Sequence, residues 1–390
     1  MCDVPALRFP EFTDEWMPKT INDLATVLGG GTPDTTIKSY WDGNIQWFTP
    51  SEIGKSKYVS LSSRTITEDG LNNSSAKLLP SYTILLSSRA TVGECSITLH
   101  ECATNQGFQS LIAKNCDIDF LYYLIQTKKK DLIRKACGST FLEISANEVR
   151  KIRTNVPSNT EQKKIGALLS LIDKRIETQN KIIEDLRLLR DAIMVEHYRK
   201  CNKSELFIYN IGEPFNVMNL SKDDLTKDGS PCIIYGELFT TYGCVIENVV
   251  SHTRKSPNST LSTKGDLLFP ASTTVDALSL IAPSSINEDD IILGGDMFGI
   301  HVNEQYNSNY LSYYFNIIGK KNLAKYAKGS TIIHLHYADI QKAKITLPNK
   351  NEQEAVANLL LKVEHKLNIE QKMLINYLNI KNFLLRQMFI

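Results

Sequence analysis

Eight cysteines occur in this 390-residue chain, but none falls in a Cys-x-x-Cys pair. That absence argues against a zinc cluster and against a disulfide framework. No apolar run approaches the roughly 18 residues that a bilayer-spanning helix needs. The opening Met1-Cys2-Asp3-Val4-Pro5 lacks the basic and apolar regions of a signal peptide. A cytoplasmic chain with reduced thiols is therefore expected. Charge of one sign is missing too: 44 Lys and Arg against 43 Asp and Glu leave a net charge of +1. Coating nucleic acid by bulk charge is excluded, while a local basic face stays open.

Several catalytic signatures are also absent. Gly54-Lys55-Ser56 ends like a phosphate-binding loop, but Thr49 stands where the leading glycine belongs. Gly29-Gly30-Gly31-Thr32-Pro33 is not a dinucleotide fingerprint, since polar residues and a tryptophan follow it. There is no Asn/Asp-Pro-Pro-aromatic tetrapeptide of the amino-methyltransferase kind. Glu161-Gln162-Lys163 and Glu370-Gln371-Lys372 superficially resemble a nuclease Glu-x-Lys, yet both read as helix surface without a paired aspartate on a strand. No nucleophile, base and orienting group fall together, so the chain does not read as a catalyst.

What the chain does have is itself, twice. Gly138-Ser139-Thr140 recurs as Gly329-Ser330-Thr331, an offset of 329 − 138 = 191. The same shift carries Pro157…Glu161-Gln162 onto Pro348…Glu352-Gln353 and Tyr122-Tyr123 onto Tyr313-Tyr314, which predicts an ungapped match from about Phe120 onward. The period is domain-sized, so this is a two-fold duplication and not a solenoid. Basic clusters recur with it: Lys128, Lys129, Lys130, Arg134 and Lys135, then Lys320, Lys321, Lys325 and Lys328. Each reads either as a solvated helix face or as a phosphate-binding patch.

Four segments follow: residues 1–157 of short strand-like runs and a helix, a long helix over 158–201, a second mixed region over 202–348, and a final helix over 349–390. Ser158 and Glu161 predict a capping box at the first long helix, and Asn349 with Glu352 the same at the second. Apolar residues with two polar interruptions then recur at spacings of four and three: Ile165, Leu169, Ile172, Ile176, Gln179, Ile183, Leu186, Arg190 and Ile193. Adding 191 gives Val356, Leu360, Val363, Leu367, Glu370, Leu374, Tyr377, Lys381 and Leu384. This is a heptad seam in both copies. Antiparallel packing in which facing residues sum to 560 would set Arg190 against Glu370 and Gln179 against Lys381. A parallel pair would instead put Arg190 beside Lys381, so the antiparallel arrangement is expected. The alternative is that the four polar residues lie at a wet edge of the seam.

The ordered strings resemble the specificity subunit of type I restriction–modification systems over essentially the whole chain. They run Trp16…Leu24…Gly29-Gly30-Gly31-Thr32-Pro33, Trp41-Asp42-Gly43-Asn44-Ile45-Gln46-Trp47, Pro80-Ser81-Tyr82-Thr83-Ile84-Leu85 and Thr104-Asn105-Gln106-Gly107-Phe108. Tyr235-Gly236-Glu237-Leu238, Lys264-Gly265-Asp266-Leu267-Leu268 and Gly294-Gly295-Asp296 continue them in the second half. One departure is Gly212-Glu213-Pro214, which stands where the first half has Gly-Gly-Thr-Pro; a second is that Asn-Gln-Gly becomes Gly-Gly-Asp.

The resemblance implies an α+β fold: two mixed α/β target-recognition domains, joined by two long helices in an antiparallel coiled coil, with an internal pseudo-two-fold repeat. It implies a non-catalytic subunit that reads a bipartite duplex target, the coiled coil acting as a ruler between half-sites. Expected partners are double-stranded DNA, two methyltransferase subunits and ATP-dependent restriction subunits, with no membrane. S-adenosylmethionine, ATP and magnesium would belong to those partners, and no cofactor or metal to this chain. Because Asn and Gln suit adenine and Arg suits guanine, Arg89, Asn105 and Gln106 are candidates in the first domain. Ser272, Thr273 and Asp296 are candidates in the second. Lys128, Lys129, Arg134, Ser139 and Thr140, with Lys325, Lys328, Ser330, Thr331, His334 and His336, complete the DNA-facing set. Each of these reads alternatively as a loop residue satisfying backbone groups. His334 and His336 also have ligand-like spacing, but Glu143 and Ser145 at the first copy's positions supply no third ligand. A protein-binding scaffold, and a nuclease or methyltransferase in its own right, are the competing classes.

Overall fold

The computed structural model describes residues 4–138, 142–217, 220–254 and 259–390. Its contacts divide the chain into two units, one of residues 1–180 and 372–390, the other of residues 181–371. Each division point falls inside a long helix, so each unit owns a mixed domain and part of both helices.

In the first unit, the continuous apolar run Ile84-Leu85-Leu86 is the buried centre of a five-stranded sheet, as a short apolar run between turn residues predicts. The strands are β1 (Ala25–Gly29), β2 (Tyr58–Val59), β3 (Ile84–Leu86), β4 (Cys95–Thr98) and β5 (Gln109–Ala113), in the order β1-β5-β3-β4-β2. Helix α1 (Ile118–Thr127) follows β5 and buries Phe120 through Ile125. Trp16, Leu111, Phe120, Leu124, Ile165 and Leu169 share one core with Met388 and Phe389 from the chain's end. Each such buried side chain contributes about 1.5–3 kcal/mol.

The second unit repeats the plan. Strands β6 (Gly212–Asn216), β7 (Val245–Ile246), β8 (Asp266–Pro270), β9 (Ser284–Ile286) and β10 (Met297–Val302) lie in the order β6-β10-β8-β9-β7. Every pairing keeps its sense: all antiparallel except β2 with β4 and β7 with β9, which are parallel. Its core gathers Leu267, Phe269, Tyr310, Tyr313 and Phe315 with Met194, Ala357 and Leu360 of the long helices.

The long helices are α2 (Asn159–Lys200), of 42 residues, and α4 (Lys350–Gln387), of 38. Between them in sequence, α3 (Ser308–Ile317) is the second unit's counterpart of α1. The capping box at α2 is only half made. Ser158 Oγ accepts the Glu161 N–H at 3.4 Å, but the Glu161 carboxylate turns to the Arg8 guanidinium, held at 2.7 and 2.8 Å. A bidentate ion pair outcompetes a single bond to a backbone amide. At α4 the Glu352 N–H donates to Asn349 Oδ1 at 3.0 Å, and the Glu352 carboxylate accepts from the Asn349 side-chain amide at 3.0 Å in place of its backbone N–H.

The residue after each glutamate is the conserved device of the repeat. Gln162 accepts from the Asp117 N–H (3.0 Å) and donates to the Pro157 carbonyl (2.9 Å). Gln353 does the same with Asn307 (2.9 Å) and Pro348 (2.8 Å). Asp117 and Asn307 in turn cap α1 and α3, accepting the N–H of Phe120 and Tyr310. The buried glutamine thereby locks each long helix to the helix beside it. These caps also correct the ungapped match: 307 − 117 = 190, so α3 follows α1 at an offset one short of 191. Tyr123 therefore corresponds to Tyr313, and the extra residue is absorbed before Gly329.

All eighteen seam positions of the two helices are buried or half-buried, and the helix segments in each unit run antiparallel. The axial register differs from the expected one. Lys381 pairs with Asp173 at 2.7 Å in the first unit, and Arg190 with Glu364 at 3.4 Å in the second. Both pairs sum to 554 instead of 560, a slip of six residues. They are copies of each other, since 173 + 191 = 364 and 190 + 191 = 381. The acids flank the seam, where a carboxylate keeps contact with water, so the seam cations reach sideways and not across. Gln179 and Glu370 are buried at 4% and 5% exposure, and Glu370 pairs with Lys366 one turn back.

Candidate nucleic-acid interface

Three loops meet beyond the end of β3 in the first unit. The Ser88 N–H donates to the Gly107 carbonyl (2.8 Å), and the Ile144 N–H donates to the Ser88 carbonyl (2.9 Å). Residues 87–91, 104–108 and the antiparallel pair of Cys137 with Glu143 are thus stitched together by backbone bonds. A fourth loop joins through Gly31, whose N–H donates to Thr104 O at 2.8 Å, and through Thr32, whose hydroxyl donates to Gln106. Trp47 Nε1 fixes the Gly31 carbonyl at 2.9 Å.

The second unit repeats these bonds beyond β8. The Ala271 N–H donates to the Asp296 carbonyl (2.8 Å), and the Leu335 N–H to the Ala271 carbonyl (2.9 Å). Cys137 and Glu143 exchange both backbone bonds at 2.9 Å; Lys328 and His334 do likewise at 2.9 and 2.7 Å. The bonds define which residues correspond. Arg89 takes the place of Ser272, Gly107 that of Asp296, and Glu143 that of His334.

Glycine is needed at two kinds of place here. Gly138 and Gly329 follow the paired Cys137 and Lys328 with φ of 138° and 117°, in the region that side chains disfavour. That requirement explains why the glycine of Gly-Ser-Thr recurs. The other need is close approach. A Cβ on Gly30 would lie 2.1 Å from Asn105 O, and one on Gly294 would lie 2.1 Å from Leu220 Cβ. Both glycines sit where the loop after the first strand of the sheet, β1 or β6, comes close to the loop before β5 or β10. This corrects the expected match of Gly212-Glu213-Pro214 to the Gly-Gly-Thr-Pro loop. The strand pairing of β6 places Gly212 opposite Val302 and equates it with Ala25 in β1.

The candidates fall into two groups. Arg89, Asn105 and Gln106 come together in the first loop cluster; Ser272, Thr273, Asp296, Lys328, His334 and His336 come together in the second. Asn105 Oδ1 is engaged locally, accepting the Gly107 N–H at 2.9 Å. Ser272 and Thr273 pair with His334 and Ile333 as a short ladder. The His334 and His336 rings stack at 6.1 Å, both exposed, and Lys328 pairs with Asp339. That pairing, chiefly through the Lys328 hydrogen bond, holds the Asp339 carboxyl below its usual range. Ser330, Thr331 and Lys325 are exposed beside them. Ser139 and Thr140 lie outside the described residues.

The basic cluster of the first domain is committed elsewhere. Lys128 Nζ donates to Ile390 O at 2.9 Å, and burial lowers its pKa. Lys129 pairs with Glu94, and Arg134 with Asp131 at 2.6 Å, one turn away along the helix. These cations are largely neutralised by neighbours, which weakens them as phosphate anchors.

Chemistry has little to work with. Burial pushes the Cys95 thiol up to about 12 and Cys102 to about 11, so both are protonated and unreactive. Among the described residues no three His, Cys, Asp or Glu side chains gather as a metal site would require, and no helix is long and apolar enough to cross a membrane. Glu143 was not singled out as a reading residue in the sequence, although the offset of 191 carries it onto His334 and could have flagged it.

Comparison with known proteins bears on this arrangement. The sequence profile described as the type I restriction modification DNA specificity domain matches residues 13–188 and again residues 216–379. The specificity subunit of the type I restriction enzyme MjaIX of Methanocaldococcus jannaschii is 37% identical over 204 residues, covering 50% of this chain and 47% of that one. The EcoR124I/EcoR124II specificity subunit of Escherichia coli is 28% identical over 188 residues, 46% and 45% of the two chains. The chain thus spans about half the length of these relatives. The crystal structure of a type I restriction–modification S subunit from M. genitalium shares the fold across 99% of both chains, with a TM-score of 0.62 and 16% identity.

Proposed function

Since the chain belongs to the family of type I restriction–modification DNA specificity domains, we propose that it is a non-catalytic subunit that reads a bipartite duplex target. In this reading each domain takes one half-site, and the chain directs methylation and restriction by partner subunits. The observation that carries the reading is the loop cluster built twice with the same backbone bonds and different side chains. A scaffold that repeats while its presented residues change suits two domains that read different sequences.

Base-edge contacts would come from the loop clusters, with Arg89, Asn105 and Gln106 in one and Ser272, Thr273, Asp296, Lys328, Ser330, Thr331, His334 and His336 in the other. Ser139, Thr140, Lys128, Lys129, Arg134 and Lys325 remain candidates for backbone contact. Arg190, Gln179, Glu370 and Lys381 would serve the helices, which act as the ruler between half-sites. Two methyltransferase subunits using S-adenosylmethionine, and restriction subunits using ATP and magnesium, would supply the chemistry. Apolar side chains left exposed on the helices, such as Leu188 and Leu171 (60% each) and Phe383 (57%), support docking of such subunits there. The cytoplasm would be the site of action.

The test is to map genome-wide adenine methylation with and without this gene, with the partner methyltransferase expressed. One split motif of fixed spacing should vanish on deletion. An unchanged pattern would defeat the reading.

A further inference from the structure

Arg89, whose counterpart in the second domain is Ser272, differs from the rest of its loop cluster in three ways. First, its backbone is pinned from several sides. Ser87 Oγ donates to the Arg89 carbonyl at 3.0 Å and the Thr91 N–H donates to the same oxygen at 2.7 Å. This closes a three-residue turn over Ala90, a non-glycine residue at φ +63°. Such a turn is strained by roughly 1–3 kcal/mol, and strain of this kind persists where the surroundings over-determine it. The flanking Ser88 is itself bonded to two other loops, as described above. The turn therefore holds the Arg89 Cα with little freedom, the condition for a side chain that must meet a partner in register.

Second, Arg89 has a specific neighbour. Arg89 and Glu143 sit across an antiparallel bridge, with Nε 3.9 Å from Oε2, and both side chains are about half exposed at 45% and 47%. An exposed ion pair at that distance is weakly held, so the pairing by itself does not fix where the two side chains point.

Third, the pair has no net charge. A phosphate anchor depends on counterion release by an uncompensated cation, and a carboxylate beside it would repel the backbone. A base edge has no such objection. In the major groove a G·C pair offers two acceptors on guanine, N7 and O6, and one donor on cytosine, N4. The forked guanidinium supplies donors to the first two, and the carboxylate accepts from the third. Neither A·T nor T·A presents that pattern.

From these observations we infer that Arg89 and Glu143 together read one G·C pair in the half-site of the first domain. The second domain sets Ser272 and His334 at the corresponding positions and therefore reads a different pair there. The inference rests on the specificity reading above and deepens it by naming the base pair and the residues that recognise it.

The experiment maps methylation in the deletion strain complemented with the full chain and its partner subunits, using wild type, Arg89→Ala, Arg89→Lys, Glu143→Gln and Ser272→Ala. The wild-type motif should contain a G·C pair in one half-site. Arg89→Ala should admit other pairs at that one position, with discrimination there falling about 10-fold or more, while the spacer and the other half-site stay unchanged. Arg89→Lys should relax the same position, because lysine keeps the charge but loses the fork. Glu143→Gln should relax it in part, and Ser272→Ala should leave it intact and alter only the other half-site.

If Arg89→Ala leaves the motif as it was, or lowers methylation at every site equally while Arg89→Lys restores it, Arg89 is not a base reader and the inference fails. A wild-type motif without a G·C pair in either half-site overturns it as well. If the wild-type complement produces no motif at all, the specificity reading falls and this inference with it. A motif that survives in wild type but ignores Arg89 removes this inference alone.

Discussion

At the residue scale, the loop cluster depends on how closely two backbones can approach. Gly30 lies where any Cβ would overlap the Asn105 carbonyl, and it stands one residue beyond β1, whose pairing with β5 sets both loops. Gly30→Ala must push the 104–108 loop away or bend its own strand end. Either response disturbs the Thr32–Gln106 bond and the Ser88–Gly107 bond beyond it. Overpacking of this kind costs about 1–3 kcal/mol, so a fall in the melting temperature of the purified chain is expected, together with weaker modification. Val217, which follows β6 as Gly30 follows β1, already carries a side chain packed against the second unit's smaller core, so that position does not need glycine. Thermal unfolding of the Gly30→Ala variant checks this; an unchanged melting temperature would mean that the 104–108 loop yields without cost.

At the element scale, the helices are positioned by charge as well as by the apolar seam. Asp173–Lys381 and Arg190–Glu364 are partly buried pairs, with side-chain exposures between 14% and 20%. Partial burial lets such contacts contribute more than an exposed pair would, and it makes a lost partner costly. A double-mutant cycle on Arg190→Ala and Glu364→Ala should give a coupling of about 0.5–3 kcal/mol, the range expected for residues in contact. The same cycle on Arg190 and Glu370 should give less, since that pair belongs to the register six residues away. A larger coupling to Glu370 would restore the register that the seam alone suggests. The buried Gln162 and Gln353 act at a different joint, each tying the start of its long helix to the capped helix beside it.

At the scale of the whole molecule, the proposed ruler makes a quantitative demand. Seven residues add two turns, about 10 Å at 1.5 Å per residue, and leave the heptad phase unchanged. Inserted after Asn180 and again after Gln371, they should lengthen the spacer between half-sites by about three base pairs, given roughly 3.4 Å per pair. Both half-site sequences should persist, since neither loop cluster is touched. Methylation mapping of the insertion variant reads this directly, and an unchanged spacer would show that the helices do not set it.

Much of this was legible in the chain itself. The duplication, the two long helices, the seam residues and the family resemblance all follow from residue identity and spacing, because burial in a helix imposes a period that local sequence must obey. Gly329 was legible for a similar reason: only glycine tolerates its backbone. Other features were not legible. A heptad seam specifies which face of a helix is buried but not how far one helix slides along another, since apolar residues fit apolar residues in several registers. Only the folded chain, with Asp173 and Glu364 beside the seam, selected one. Nor could spacing reveal that α3 is offset by 190, that Gly212 matches Ala25, or that Arg89 corresponds to Ser272. Those relations are carried by backbone hydrogen bonds between distant segments, which any residue but proline can make and which therefore leave no mark on the sequence.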